Sequence, residues 1–153
     1  MSPEQLADLV RHTYSQCIGP PVDIASIARQ AGIQVLQWPF ADVELCGLLH
    51  WVDASPVIIV NSRHSWARRR FTLAHELWHY MVDMPSPSAA LMLKRGAPRG
   101  HERDADHFAA CLLMEADAVR DLRGRGVPAD AVATALGVSK QALEFRFREL
   151  GLR

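Results

Sequence analysis

The segment His75-Glu76-Leu77-Trp78-His79 constrains this chain more than any other. Neither Gly nor Pro occurs from Ser65 to Val82, so the stretch reads as one uninterrupted helix. Residues four apart on a helix lie about 40° from each other around the axis, on one face. His75 and His79 can therefore direct two imidazoles at one metal ion. Glu76 stands beside them, placed to act on a water held by that ion. Ala74, Leu77, Trp78 and Met81 follow an i, i+3, i+4, i+7 pattern. Their stripe lies about 130° from the mean direction of the two His. One face of the helix can enter a core while another offers ligands.

A catalytic zinc usually has three protein ligands and one open position. Glu102 offers the third, in a segment that follows Gly96, Pro98 and Gly100 and so reads as a new helix. Ala105, Phe108, Ala109 and Leu112 form its apolar stripe, and Glu102 and Asp106 share a face beside it. Asp106 is spaced to accept the second ring N–H of a metal-bound imidazole, best that of His75, which would hold the ring in place. Alone, the two acids would read as a solvated face; the upstream His pair reverses that. His101 and His107 compete as third ligands, since three-His zinc sites exist, but both lie around the helix from Glu102.

Two blocks of residues carry a family likeness. Arg70-Phe71-Thr72-Leu73-Ala74-His75-Glu76-Leu77-Trp78-His79 is the first. The second is Glu102-x-x-Ala105-Asp106-x-Phe108-Ala109-Ala110-x-Leu112-Leu113-Met114. Together they resemble the ImmA/IrrE metallopeptidases, and the second also resembles the wider gluzincin pattern. The likeness runs from about Asp23 to the C-terminus. It implies a cytoplasmic peptidase that cleaves helix-turn-helix repressors of the XRE type and so relieves repression. It also implies that His75, His79 and Glu102 are ligands and Glu76 the base. One departure is Glu115, where the family has Pro after Leu-Leu-Met. That position bears on where the second helix ends rather than on the chemistry.

A chain of 153 residues fits one compact unit, and 49% apolar residues suffice for a core. Net charge is zero, so there is no global electrostatic case for a nucleic-acid or membrane partner. Three Cys, at 17, 46 and 111, are too few and too scattered for a disulfide framework or a zinc knuckle, and Cys111 reads as a core thiol. Met1 to Val10 lacks the pattern of a signal peptide, and no apolar run reaches membrane-spanning length. A cytoplasmic protein is expected.

Helices are expected over Pro3–Cys17 and Asp23–Ala31, the latter capped by Asp23 and stopped by Gly32. Strands are expected over Ile33–Trp38, Gly47–Val52 and Val57–Val60, the last two joined by a turn at Asp53-Ala54-Ser55-Pro56. Between the ligand segments, a short helix is expected over Ser88–Arg95, in a stretch made basic by Lys94, Arg95, Arg99 and Arg103. The fold class is α+β: a small, mostly antiparallel sheet with a two-helix metal core. A metallopeptidase domain over residues 1–126 would carry a helical hairpin over 127–153.

That hairpin, Ala129–Leu136 then Lys140–Leu150, resembles a helix-turn-helix, with Ser139 as the second N-cap and Leu143, Phe147 and Leu150 as its stripe. A DNA-binding reading would turn Lys140, Gln141, Glu144 and Arg148 toward a groove. Glu144 and Glu149 oppose it, because phosphate contacts need positive charge, so the hairpin is expected to pack on the catalytic part. Arg68-Arg69-Arg70 makes no stronger case for nucleic acid.

The reading is a zinc endopeptidase, with manganese or iron also suited to such ligands. The metal would polarise the scissile carbonyl while Glu76 carries the proton from water to the leaving amine. Tyr80, His101 and His107 are candidate oxyanion donors. Two alternatives stand beside it: a non-catalytic module that binds a repressor, and a regulator acting on DNA through the hairpin.

Overall fold

The computed structural model describes residues 1–94 and 102–153. Its helices are α1 (Pro3–Thr13), α2 (Ile24–Gln30), α3 (Trp66–Val82), α4 (Pro87–Lys94), α5 (Glu102–Leu113), α6 (Ala116–Gly124), α7 (Ala129–Leu136) and α8 (Lys140–Glu149). Three strands, β1 (Gln34–Trp38), β2 (Gly47–Val52) and β3 (Ser55–Asn61), complete the α+β fold.

Local chemistry sets several helix starts. Ser2, Asp23, Ser65 and Ser139 each accept a backbone N–H from the first turn of α1, α2, α3 and α8. The first helix ends at Thr13, and a separate 3₁₀ turn takes Ser15–Cys17, so the expected run to Cys17 is broken near its end. Glu115 occupies the N-cap position of α6 with φ −54°, inside the range to which proline is locked. A residue of either kind suits that corner. α6 itself has only Val119 buried, with Leu122 partly so, and this stripe is too thin to read from sequence.

The sheet order is β1-β3-β2, with β2 antiparallel to β3 and β1 parallel to it. The expected mostly antiparallel sheet is thus corrected to a mixed one. β1 and β2 run in opposite directions, but β3 inserts between them, so β1 meets the strand that runs its own way. The hairpin turn is shorter than expected, with Ser55 and Pro56 already inside β3 and Asp53 at φ 54°. Pro56 faces Trp51 of β2 but lies before the β1 pairing, which begins at Val57, so its missing N–H breaks no ladder in the middle of the sheet.

α3 packs across β2 and β3 on one side and against α5 on another. Ala74, Leu77 and Trp78 of α3 and Ala105, Phe108, Ala109 and Leu112 of α5 are all buried. The Trp78 and Phe108 rings meet with centroids 5.6 Å apart. Removing a ring as buried as Phe108 costs about 3–5 kcal/mol.

The C-terminal helices join the same core through Val132, Leu136, Leu143 and Phe147. Two buried guanidiniums pin them. Arg70 donates from Nε to the Gly137 carbonyl (2.9 Å) and from Nη1 to the Val22 carbonyl (2.6 Å). Arg146 donates from Nε to the Met114 carbonyl (3.0 Å) and from Nη1 to Glu149 (3.0 Å). Arg70 is thus not part of an exposed basic run.

Gly137 ends α7 at φ 65°, and a Cβ there would sit 2.8 Å from Arg70 Nε and 2.9 Å from the Trp66 ring. Gly137→Ala is expected to destabilise the protein by about 2 kcal/mol, from left-handed strain plus the clash. Urea unfolding with an unchanged m-value measures it; a loss below about 0.5 kcal/mol would show that the Arg70 clamp gives way freely.

Candidate metal centre

The α3–α5 contact turns one face of each helix toward the other beside the core. His75 Nε2 lies 2.9 Å from Glu102 Oε2 and 3.1 Å from His79 Nε2. His79 Nε2 lies 3.1 Å from Glu102 Oε1. Around a tetrahedral zinc at about 2.1 Å, ligand atoms stand about 3.4 Å apart. The trio therefore needs to open by only a few tenths of an ångström, about the scale of a side-chain adjustment, to admit an ion. Two imidazole nitrogens and one carboxylate oxygen form a donor set that suits zinc and leaves a fourth position for water or substrate.

Each imidazole is held from behind. His75 Nδ1 lies 2.7 Å from Asp106 Oδ1, and His79 Nδ1 lies 2.5 Å from Asp83 Oδ2. A carboxylate on Nδ1 keeps the proton there and leaves the Nε2 lone pair for a metal. Asp83 is a partner that the motif alone does not name. Its signal was available, because it stands four residues after His79 on the same helical face, at the C-cap of α3.

Burial lowers the His75 pKa, but the Asp106 hydrogen bond and the charges of Glu76, Asp106 and Glu102 outweigh it, and the net shift is upward. A metal must displace that proton, so affinity falls as pH falls. His79 is fully buried, whereas the Glu102 side chain is 54% exposed, so the centre opens on the α5 side.

The centre forms one wall of a cleft of about 670 Å³. Phe71, Thr72 and the buried Glu76 line it from α3, Cys46 and Gly47 from the start of β2, and Ser139, Gln141 and Ala142 from the start of α8. A Cβ on Gly47 would lie 2.7 Å from both the Ile59 carbonyl and Thr72, so β2, β3 and α3 meet there without room for a side chain. Of the residues that a DNA reading turns toward a groove, Gln141 instead lines the cleft and Lys140 pairs with Asp130 at 3.2 Å.

Tyr80 and His107 do not line this cleft. Tyr80 packs its ring against Trp51, with centroids 5.9 Å apart. His107 turns to Glu149, 2.8 Å away on α8. Neither ring is thus among the side chains that line the cleft beside His75 and Glu102. His101 and the basic positions Arg95 and Arg99 lie outside the described residues, while Arg103 is exposed on α5.

Comparison with known proteins agrees with this architecture. The sequence model of the Peptidase M78 family, the IrrE N-terminal-like domain, matches residues 28–148. The chain belongs to this family. No curated protein matches it. Among solved structures, a Mycobacterium tuberculosis transcriptional regulator superposes with a TM-score of 0.64 at 16% identity. The match covers 96% of this chain and 52% of that one, so this chain spans about half the length of the regulator and shares its fold.

Asp83→Ala and Asp106→Ala are each expected to weaken zinc binding about 10–100-fold while leaving the fold intact. Competition against a chromophoric chelator measures this; unchanged affinity in both would mean that the two carboxylates do not orient the imidazoles.

Proposed function

We propose that this protein is a zinc-dependent endopeptidase that cuts a protein substrate, an XRE-type helix-turn-helix repressor in the cytoplasm, and so relieves repression. The observation that carries the reading is the convergence of His75, His79 and Glu102 beside the buried Glu76 in an open cleft. Membership in a peptidase family supports it. The repressor as substrate rests on the likeness of the two motif blocks to the ImmA/IrrE peptidases.

In this reading His75, His79 and Glu102 hold the ion, with manganese or iron as other candidates. When bound, it supplies Lewis acidity that activates water and polarises a peptide carbonyl. Glu76 takes a proton from the attacking water and passes it to the leaving amine. Asp106 and Asp83 keep the two imidazoles in the tautomer that leaves Nε2 as a lone-pair donor. β2 is a sheet edge among the described residues, and its first residue lines the cleft. An extended substrate segment can pair with that edge and lie across the cleft. The metallopeptidase domain covers residues 1–126, and the hairpin over 127–153 packs on it and lines the cleft through Ser139, Gln141 and Ala142. No described helix is long and apolar enough to cross a membrane.

Incubation of zinc-loaded protein with the helix-turn-helix repressor encoded nearest its gene tests the proposal. A discrete cut is expected. Glu76→Gln should retain the metal and lose at least about 100-fold in cleavage rate. Wild-type turnover in that variant would reject the base assignment, and a stable complex without any cut would favour a binding module.

A further inference from the structure

A second group of ligating side chains lies on another face of α5. Asp106 and His107 are consecutive, so the face carrying His107 and Cys111 is turned about 100° from the one carrying Glu102 and Asp106. His107 Nε2 lies 3.6 Å from Cys111 Sγ. A nitrogen at about 2.05 Å and a sulfur at about 2.3 Å from one tetrahedral zinc stand about 3.6 Å apart. Glu4, in the first turn of α1, brings a carboxylate oxygen within 4.8 Å of both. It is exposed and lines the same cleft as Cys111.

The imidazole is also braced in the manner of a ligand. Its other nitrogen, Nδ1, lies 2.8 Å from Glu149 Oε1, and Arg146 in turn holds Glu149 Oε2 at 3.0 Å. A carboxylate on the distal nitrogen fixes the tautomer and directs Nε2 at the thiol. Cys111 is buried yet borders a cleft of about 360 Å³ that Glu4 and Asp8 also line, which gives an ion a path from solvent.

We propose that Glu4, His107 and Cys111 form a second transition-metal site of zinc type, separate from the centre at His75 and His79, with its fourth position open to water. An ion there would cross-link α1 to α5 next to the point where Glu149 ties down α8. Nothing in the peptidase reading requires it. Burial raises the Cys111 thiol pKa, with Arg146 and Arg11 pulling it back and Glu4 and Glu149 adding to the rise. The metal must therefore displace a proton, and binding weakens as pH falls.

Cobalt(II) titration of the metal-free protein tests this without recourse to activity. A thiolate-to-cobalt charge-transfer band in the near ultraviolet is expected. It should disappear in Cys111→Ser and survive in both Cys46→Ser and His79→Ala. Glu149→Gln should weaken the cobalt affinity read from that band about 10–100-fold. If Cys111→Ser fails to fold, His107→Gln, at a partly exposed position, decides by the same loss. Cobalt binding without the band, or a band that persists in His107→Gln and Cys111→Ser, would overturn the proposal and leave the 3.6 Å contact as a thiol–imidazole hydrogen bond.

Discussion

The seam between α3 and α5 is the constraint on which the rest of the molecule depends. Ala74 on one helix and Ala105 and Ala109 on the other are small and fully or almost fully buried, so the two backbones approach closely. Trp78 and Phe108 fill the space beyond them. That packing sets the rotation of both helices, and rotation alone decides whether His75, His79 and Glu102 can share one point. A helix turned by a single residue step of about 100° would carry an imidazole or the carboxylate away from the others.

The seam is supported from outside by long-range donors that do not touch the cleft. Arg70 reaches from the N-terminal part of α3 to the turn between α7 and α8, and Arg146 reaches from α8 to the end of α5. Arg11 of α1 caps the same end by donating to the Cys111 and Leu112 carbonyls. Helix ends leave carbonyls without partners, and each buried one left unpaired costs about 1–3 kcal/mol. Filling them with guanidiniums fixes the hairpin against the two metal helices. Ser139, Gln141 and Ala142 line the cleft, so the C-terminal helices shape the same cleft as the ligands.

Much of this was legible because it is local. Caps at Asp23 and Ser139, the breaker-free run from Ser65 and the four-residue spacings of His75 with His79 and of Glu102 with Asp106 are short-range signals. The structure places those helices within a residue or two and brings the four side chains together. What stayed hidden depends on tertiary choice. Whether β1 sits beside β2 or β3 is decided by packing, so the parallel pairing had no local mark. Arg70 looked like one of three surface cations, and only the fold shows it buried beneath Trp66. His107 looked like a cleft residue, but Glu149, 42 residues further on, turns it elsewhere. The Asp83–His79 pairing differs from these, since its four-residue spacing at the end of α3 is itself a local signal.

The most direct test of this account is an anomalous difference map from zinc-loaded crystals. A strong peak is expected, bonded to Nε2 of His75, Nε2 of His79 and a Glu102 oxygen, with Asp106 and Asp83 still on the two Nδ1 atoms. A map without density there, or with zinc held by other residues while Glu102 points into solvent, would contradict it.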